Sequence, residues 1–361
     1  MARLVLGIET SCDETAAAVV SADGRILSNI IASQVDEHQR HGGVVPEVAA
    51  RAHLGLIDGV INQALDEAGI TMAELDAVAA TGGPGLIGGV LVGTVAAKAI
   101  ALGRGIPFHA INHLEGHALS ARLTENIRFP YLLLLVSGGH TQLLEVTAPG
   151  QYSRYGTTLD DAAGEAFDKS AKVLGLGMPG GPAIEKAAAG GDAAAFDLPR
   201  PLKGKPGCHF SFSGMKTAVA TAHEKSIKPL ADDAARQRAT ADLAAALQMA
   251  IADSLMSRSG RAMQHFLEIN PDQVKPDFVV AGGVAANQQI RARLEAAAAD
   301  QGFAFHAPPV KLCTDNAVMI AWAAIEREAA GLPADGLDFE PRPRWPLDPD
   351  AAPPPGRGVR P

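Results

Sequence analysis

Aromatic side chains are scarce. Two Trp, three Tyr and 11 Phe make up 4 % of the 361 residues. Stacking platforms for single-stranded nucleic acid are correspondingly few. Cysteine is scarcer still. Cys12, Cys208 and Cys313 are odd in number and far apart, which argues against the disulfide framework of a small secreted domain. Positive charge is in deficit. The 31 Lys and Arg face 40 Asp and Glu, for a net charge of −9. Binding of nucleic acid through bulk charge is thereby excluded, and only a local basic patch is left for it. Near the N-terminus no apolar run approaches the roughly 20 residues of a membrane span. Acid arrives at Glu9, which speaks against a signal peptide. A soluble, reduced, cytoplasmic protein with no membrane association is expected.

What the chain does have is apolar residues (47 %), 38 glycines and 24 prolines. At roughly 100–200 residues per domain, the length fits two or three domains or one large two-lobed α/β unit. Leu4 to Ile8, Ala16 to Val20 and Ile26 to Ile31 are short apolar runs split by Glu9–Thr15 and by an Asp23-Gly24 turn. They predict consecutive strands with hairpin connections. Pro46 to Ala68 carries helical spacing at Val48, Leu54, Ile57, Ile61 and Leu65. Ala77 to Thr81 and Pro107 to Ile111 predict strands, Val90 to Leu102 a helix, and a further helix begins near Asn112. The pattern restarts after Phe129. Tyr131 to Val136 and Leu143 to Val146 predict strands around the polar turn Ser137–Thr141. This echo of residues 4–20 suggests duplication. Helices are predicted near 161–174, over about 234–265, from Asn287 onward and from Asp315 through Trp322, with a strand at Asp277 to Val280 and a turn at Pro179–Pro182. Eight prolines fall from Pro341 onward, which reads as an extended tail and not a domain.

Four motifs bear on chemistry. The turns Glu9–Thr15 and Ser137–Thr141 carry small and hydroxylated residues after a strand, where backbone N–H groups can face an anion. Each alone is an ordinary polar turn; as a pair they suggest a grip on phosphate. Glu9, Asp13 and Glu14 repel phosphate, so at least one of them is expected to face a metal or a cation. In Ala281-Gly282-Gly283-Val284-Ala285-Ala286-Asn287 a strand enters two glycines and a helix, so a flat ring can lie against the backbone beside Asn287. His113 and His117 stand one helical turn apart on one face, a spacing that can chelate a metal and that also arises on solvated faces. Asp315 is the best third ligand. The order differs from the H-E-x-x-H of zinc proteases, and Glu115 points away from His113. Gly116 within that helix hints at tight packing. Asp168 offers a hydroxyl-binding carboxylate, while Asp160 and Asp161 read as an acidic first helical turn. Arg40, Arg51, Lys203, Lys205 and Lys216 are scattered. Phe210–Thr217 mixes aromatics, hydroxyls and a lysine suited to a ligand or a partner. Cys12 beside Asp13 reads as a packing residue, not a nucleophile.

In one order, the blocks GIETSCDETAAAVV, HGGVVPEVAARAHL, TGGPGLIGGVLVG, NHLEGHALSAR, LLVSGGHTQLLEV, DDAAGEAFDKSAKVLGL, PGGP, FSFSGMKTAV, AGGVAANQQIR and CTDNAVMIAWAA span roughly residues 3–347. They resemble the tRNA N6-adenosine threonylcarbamoyltransferase (TsaD) family, formerly described as an O-sialoglycoprotein endopeptidase. The resemblance implies an α/β ASKHA fold, the two-lobed actin, Hsp70 and sugar-kinase type with duplicated ribonuclease-H-like domains. The expected lobes are residues 1–128 and 129–335, with a Pro-rich tail at 336–361 and the last helix packing back on the first lobe. It implies transfer of threonylcarbamoyl from threonylcarbamoyl-AMP to N6 of adenosine 37, in tRNAs reading codons that begin with A. Residue by residue, His113, His117 and Asp315 match metal ligands for one divalent ion, with Fe(II) favoured and Zn the alternative. Val136, Ser137, Gly138, Gly139 and His140 match a donor-binding strand and loop, with His140 the candidate proton acceptor. Asp168, Gly181 and Asn287 match further donor contacts, and Glu185 stands where some members have a ribose-contacting Asp. The implied partners are tRNA, a TsaB-like ASKHA protein and a TsaE-like ATPase. The apolar helix face near 48–65 is the place for the TsaB-like partner or, equally, for the core. A kinase-like use of the same cleft and a nucleotide-gated interaction protein are the alternatives, and neither requires the His pair with its distant Asp.

Overall fold

A computed structural model describes residues 2–39 and 43–354. Arg40 and the last seven residues of the Pro-rich tail lie outside the described residues. The first lobe runs β1 (Leu4–Glu9), β2 (Glu14–Ser21), β3 (Ile26–Ser33), α1 (Val35–Gln39), α2 (Pro46–Ala68), β4 (Ala77–Gly83), α3 (Ile87–Arg104), β5 (Phe108–Asn112) and α4 (His113–Thr124). The second runs β6 (Tyr131–Val136), β7 (Thr141–Ala148), β8 (Gln151–Thr157), α5 (Ala163–Leu174), α6 (Gly180–Ala188), α7 (Ser213–Ala222), α8 (Asp233–Ile269), β9 (Asp277–Ala281), α9 (Gln288–Asp300) and β10 (Ala304–His306). The final helix, α10 (Val318–Ala329), returns to the first lobe.

The two sheets have one topology. The first is ordered β3-β2-β1-β4-β5 and the second β8-β7-β6-β9-β10. In both, the first three strands in sequence are antiparallel and the last two join in parallel. The echo between residues 4–20 and 132–146 is therefore a duplicated fold. Short apolar strands buried on both faces are what such covered sheets require. Alternation along β1 divides the packing. Leu6 and Ile8 meet Ile57, Val60, Ile61 and Ala97 of α2 and α3, while Val5 meets Ala317–Ile325. On the second sheet Leu132, Leu134 and Val136 face α5, α8 and α9, and Tyr131, Leu133 and Leu135 face Leu114, Ala118 and Ala121 of α4. Helices α4 and α10 thus pack against each other between the two sheets.

Several boundaries differ from the sequence expectations. The turn expected at Pro179–Pro182 is the first turn of α6, where a proline costs little because first-turn N–H groups have no helical acceptor. Residues 213–222 form α7, which the mixed polarity of Phe210–Thr217 obscured. The last helix starts at Val318, not at Asp315; the Asn316 side chain accepts the Met319 N–H at 3.1 Å and leaves Asp315 in the preceding turn. Residues 335–354 have no helix or strand yet are tied down. Asp335 N–H donates to Phe108 O at 2.9 Å, Arg342 N–H to Gly82 O at 2.7 Å, and Arg154 N–H to Asp348 Oδ2 at 2.8 Å. This segment covers the open edge of β5.

Gly7 shows how closely α10 is pressed on the sheet. A Cβ there would stand 2.2 Å from Ala317 O and 2.8 Å from Ala321 N. Gly55, on the exposed side of α2, has nothing within 4 Å. Urea unfolding should show Gly7→Ala destabilised by about 1–3 kcal/mol, since the crowded atoms are backbone. Gly55→Ala should gain about 0.5–1 kcal/mol. Equal effects at the two positions would refute this packing.

Candidate active site

The site forms where the two central helices begin. Asn112 caps α4, its Oδ1 accepting the Leu114 N–H at 2.9 Å. This capping starts the helix so that His113 and His117 share a face, with ring centroids 4.8 Å apart and planes at 87°. The turn before α10 brings Asp315 to both. Its Oδ1 lies 3.4 Å from His113 Nε2 and 3.1 Å from His117 Nε2. One ligand atom from each residue falls within a 4.8 Å group. The helix pair closes over Gly116, where a Cβ would meet Met319 and Ile320 side chains at 3.1 Å, which accounts for the glycine. Glu115 points the other way. It accepts the Gly150 N–H at 2.7 Å and Arg327 Nη1 at 3.1 Å, and so ties α4 to the β7–β8 turn and to α10.

The Glu9 turn backs the histidines. Glu9 Oε2 faces His113 Nδ1 at 2.9 Å and accepts from Thr81, while Oε1 accepts the Ser11 N–H at 2.5 Å. A carboxylate on Nδ1 fixes that proton and leaves Nε2 as the donor atom for a metal. Of the three acids in this turn, Glu9 is the one that meets a basic group. Burial opposes its charge, but His113 outweighs burial and holds Glu9 below its ordinary range. Asp315 behaves alike: burial disfavours the anion, and His113 with His117 brings it well below the carboxylate range. Burial also works against a charged His113, yet Asp315 and Glu9 raise its pKa well above the ordinary value. Glu14 has no such partner. Burial, then Asp315 and Asp13, push it up to about 9, so it is protonated at neutral pH. Burial is also the main reason the Cys12 thiol is driven up, with Asp13 and Asp315 adding to it, in line with a packing residue.

A divalent metal fits this set. Two imidazoles and a carboxylate are suitable donors, the carboxylate behind His113 is in place, and His117 Nδ1 is buried without a hydrogen-bond partner. The buried carboxylate of Glu9, held below its ordinary range, also favours a cation here.

The second lobe supplies the opposite wall. Val136 is fully buried at the end of β6. Ser137 N–H donates to His140 O at 2.8 Å and His140 N–H to Ser137 Oγ at 3.3 Å, closing a tight turn. Gly138 and Gly139 at its tip are exposed with open space above them. Their N–H groups have no partner among the described residues. Gly164 of α5 packs on this turn, and Gly282, at φ 99°, sets the second glycine turn against Val136 O and Ser137. Burial, then the charge of His113 and His117, push His140 down to about 4. His140 is therefore neutral at pH 7 and lies close enough to His113, His117 and Asp315 to feel their charge.

The remaining expected residues gather around α6. Asp168 Oδ1 accepts the Gly180 N–H at 2.8 Å, and Oδ2 has no hydrogen bond among the described residues. Burial raises the Asp168 pKa, and Asp13 across the cleft adds to it. Gly181 faces open space. Glu185 Oε1 accepts the Gln288 N–H at 2.8 Å. Asn287 is committed within the protein: its Oδ1 accepts the Ile290 N–H at 3.0 Å, and its Nδ2 donates to Gln248 Oε1 at 2.8 Å. It caps α9. Asp160 is not part of an acidic helical turn. It accepts from Ser211 Oγ (2.6 Å), Phe212 N–H (2.7 Å), Ser213 N–H (3.2 Å) and Ser213 Oγ (2.8 Å), and so fastens the start of α7 beside α5. Sequence reasoning missed this because the partners are 51–53 residues away.

Burial alone would raise the Asp160 pKa, but its hydrogen bonds to Ser211, Phe212 and Ser213 lower it. A depressed carboxylate contributes stability that is complete above its ordinary value of 3.8 and is lost as pH falls through the folded-state pKa. Asp160→Ala should cost about 1–3 kcal/mol at pH 7. The gap from wild type in urea unfolding should narrow at pH 3, and a gap independent of pH would contradict this role for the carboxylate.

The family model for TsaD, tRNA N6-adenosine threonylcarbamoyltransferase, matches residues 25–322. Proteins of that name from Brucella suis are 58 % identical over 361 residues, covering 99 % of this chain and 98 % of theirs. The Rhizobium meliloti protein of that name is 57 % identical over 351 residues, with 96 % of each chain covered. Among solved structures, component A of the Acidaminococcus fermentans (R)-2-hydroxyglutaryl-CoA dehydratase gives a TM-score of 0.52 at 15 % identity, covering 91 % of this chain and 99 % of that one. Full-length HypF, in its phosphate- and nucleotide-bound form, gives 0.54 at 12 %, covering 91 % and 46 %. These structures share the two-lobed ASKHA fold of this chain.

Proposed function

We propose that this chain, which belongs to the tRNA N6-adenosine threonylcarbamoyltransferase family, transfers threonylcarbamoyl from threonylcarbamoyl-AMP to N6 of adenosine 37 in tRNAs that read codons beginning with A. It is a transferase of the α/β ASKHA type, and the reading extends to a cytoplasmic enzyme. The observation that carries it is the pairing of His113, His117 and Asp315 on the first-lobe side with the open Ser137–His140 turn on the other. A kinase-like or purely nucleotide-gated protein has no use for that pairing.

His113, His117 and Asp315 are the residues to hold one divalent ion, with Fe(II) preferred and Zn the alternative. Such an ion supplies Lewis acidity toward donor oxygens. The Gly138 and Gly139 N–H groups donate to the negative charge that builds on the donor as AMP departs. The free oxygen of Asp168 and the cradle at Gly181 orient the nucleotide, and Glu185 and Asn287 hold the α6–α9 junction that forms that wall. Positioning of this kind lowers the barrier by several kcal/mol, on the order of what effective molarities allow. His140, neutral and with a pKa of about 4, is a weak base. It accepts the N6 proton only once acylation has made that nitrogen acidic.

The same reading includes partners: tRNA, a TsaB-like ASKHA protein and a TsaE-like ATPase. The expectation of an apolar face near residues 48–65 divides in two. Ile57, Ile61 and Leu65 are core, while Leu54 is 65 % exposed. Beside it, Ile87, Leu91, Val95 and Leu102 form one exposed stripe on α3. This helix is long and apolar enough to span a membrane, but its other face packs on the sheet through Gly89, Gly93, Ala97 and Ala101. An exposed stripe of this kind calls for cover, and α2 with α3 is the proposed seat of the TsaB-like partner. The domain reading stands as proposed: lobes at 1–128 and 129–335, and a tail at 336–361.

In a reconstituted assay with both partners, synthetic donor and unmodified tRNA, wild type should yield the modified adenosine by nucleoside mass spectrometry, and His113→Ala should yield less than about 1 %. Unimpaired transfer by the variant would remove the metal set from the reaction, and no transfer by wild type beside an active control enzyme would remove the reaction itself. A second variant addresses the partner face. Leu91→Glu should abolish co-elution with the TsaB-like protein and leave the chain's own melting temperature within about 2 °C. Retained co-elution would place the partner elsewhere.

A further inference from the structure

We propose that exposed lysines within residues 200–228 form the surface that holds the phosphate backbone of the acceptor tRNA. This rests on tRNA being the acceptor. A chain of net charge −9 must concentrate its cations locally to hold a polyanion. Residues 200–228 do so. Arg200, Lys203, Lys205, Lys216, Lys225 and Lys228 stand against a single acid, Glu224. Arg200 is paired with Asp253 at 3.1 Å and Lys228 with Glu224 at 2.8 Å. Lys203, Lys205, Lys216 and Lys225 are exposed and have no ion-pair partner among the described residues.

The segment is built, not loose. Arg258 of α8 is 2 % exposed, the largest fully buried side chain described, and has no carboxylate partner. Its guanidinium instead donates to the carbonyls of Leu202, Lys205 (2.9 Å) and Gly207 (3.1 Å). Leu202 adopts φ 61°, a left-handed conformation that a leucine keeps only when its surroundings fix it. A buried cation spent on backbone carbonyls holds the 202–207 loop in one shape, with Lys203 and Lys205 outward. The chain then runs through Phe210, whose N–H donates to Thr157 O at 3.1 Å, and into α7. Phe210 and Phe212 are buried and Ser211 and Ser213 are bound to Asp160. In the Phe210–Thr217 motif the lysine is therefore the charged group left for a partner. Lys216 stands in the first turn of α7. Asp160 joins that turn to the start of α5, whose Glu165 N–H donates to Gly138 O at 3.1 Å. The first turn of α7, which carries Lys216, is thus linked through Asp160 and α5 to the donor turn, where the acceptor base must arrive.

The test uses the full chain with its partners and unmodified tRNA. Fluorescence anisotropy without donor gives the tRNA Kd as a function of salt, and steady-state transfer gives KM and kcat. The double variant Lys203→Ala/Lys205→Ala, and Lys216→Ala, should each lower the slope of log K against log salt by about 1 per lysine removed. The KM for tRNA should rise several-fold, while the KM for donor and the urea midpoint stay at wild-type values. Lys275→Ala, an exposed lysine elsewhere, should leave the slope unchanged. A wild-type complex that transfers to tRNA, with slope and tRNA KM untouched by these variants, overturns the surface and leaves the transfer reading standing. A wild-type complex that binds no tRNA overturns both.

Discussion

The packing of α10 against β1 and α4 is the constraint on which the rest of the structure depends. Two glycines make it possible. At Gly7 the backbone of α10 lies where a Cβ would be, and at Gly116 the side chains of Met319 and Ile320 close on α4. A helix from the end of the chain can then reach the first sheet, and the turn before it delivers Asp315 to histidines about 200 residues earlier in the sequence. The same pair of helices separates the two sheets. The site is therefore assembled at the boundary between the lobes from segments that neither sheet holds alone.

Charge explains why the first-lobe side is arranged as it is. Glu9, Asp13, Glu14 and Asp315 crowd one region, and burial makes Glu9, Glu14 and Asp315 costly to ionise. Glu9 and Asp315 stay anionic because His113 and His117 face them. Glu14, lacking such a partner, is pushed to about 9. Such a pocket favours a cation. The second-lobe wall has the reverse character, with exposed glycine N–H groups at the tip of its turn and a histidine held neutral. The first-lobe side thus favours a cation, and the 137–140 turn beside it can accept an anion.

Much of this was legible in residue pattern. Short apolar runs gave the strands, their recurrence after Phe129 suggested the duplication that the two sheets bear out, and helical spacing over Pro46–Ala68 marked α2 to its ends. The His113 and His117 spacing placed both on one face because helical period is local. The strand β8 and the helices α6 and α7 were not legible: β8 mixes polar and aromatic residues, and the other two begin with glycine, proline or serine. Asp160 and Asn287 show a second kind of limit. Asp160, read as a helix-turn acid, is engaged by groups about 50 residues away, and the Asn287 amide, beside its cap on Ile290, also reaches Gln248 on α8.

Composition, period and spacing are short-range properties, and they determined which segments are strands and helices, that one fold occurs twice, and which residues have ligand chemistry. Tertiary structure decided which of those residues meet. Asp315 joins His113 only because α10 crosses back to the first lobe, and Glu9 orients His113 because β1 and α4 converge there. Asp168, Glu185 and Asn287 use part or all of their capacity on neighbouring helix ends, whose first N–H groups lack a helical acceptor. The division follows from the physics: periodicity records each segment's own burial, whereas the partner of a charged group is set by which segments fold against each other.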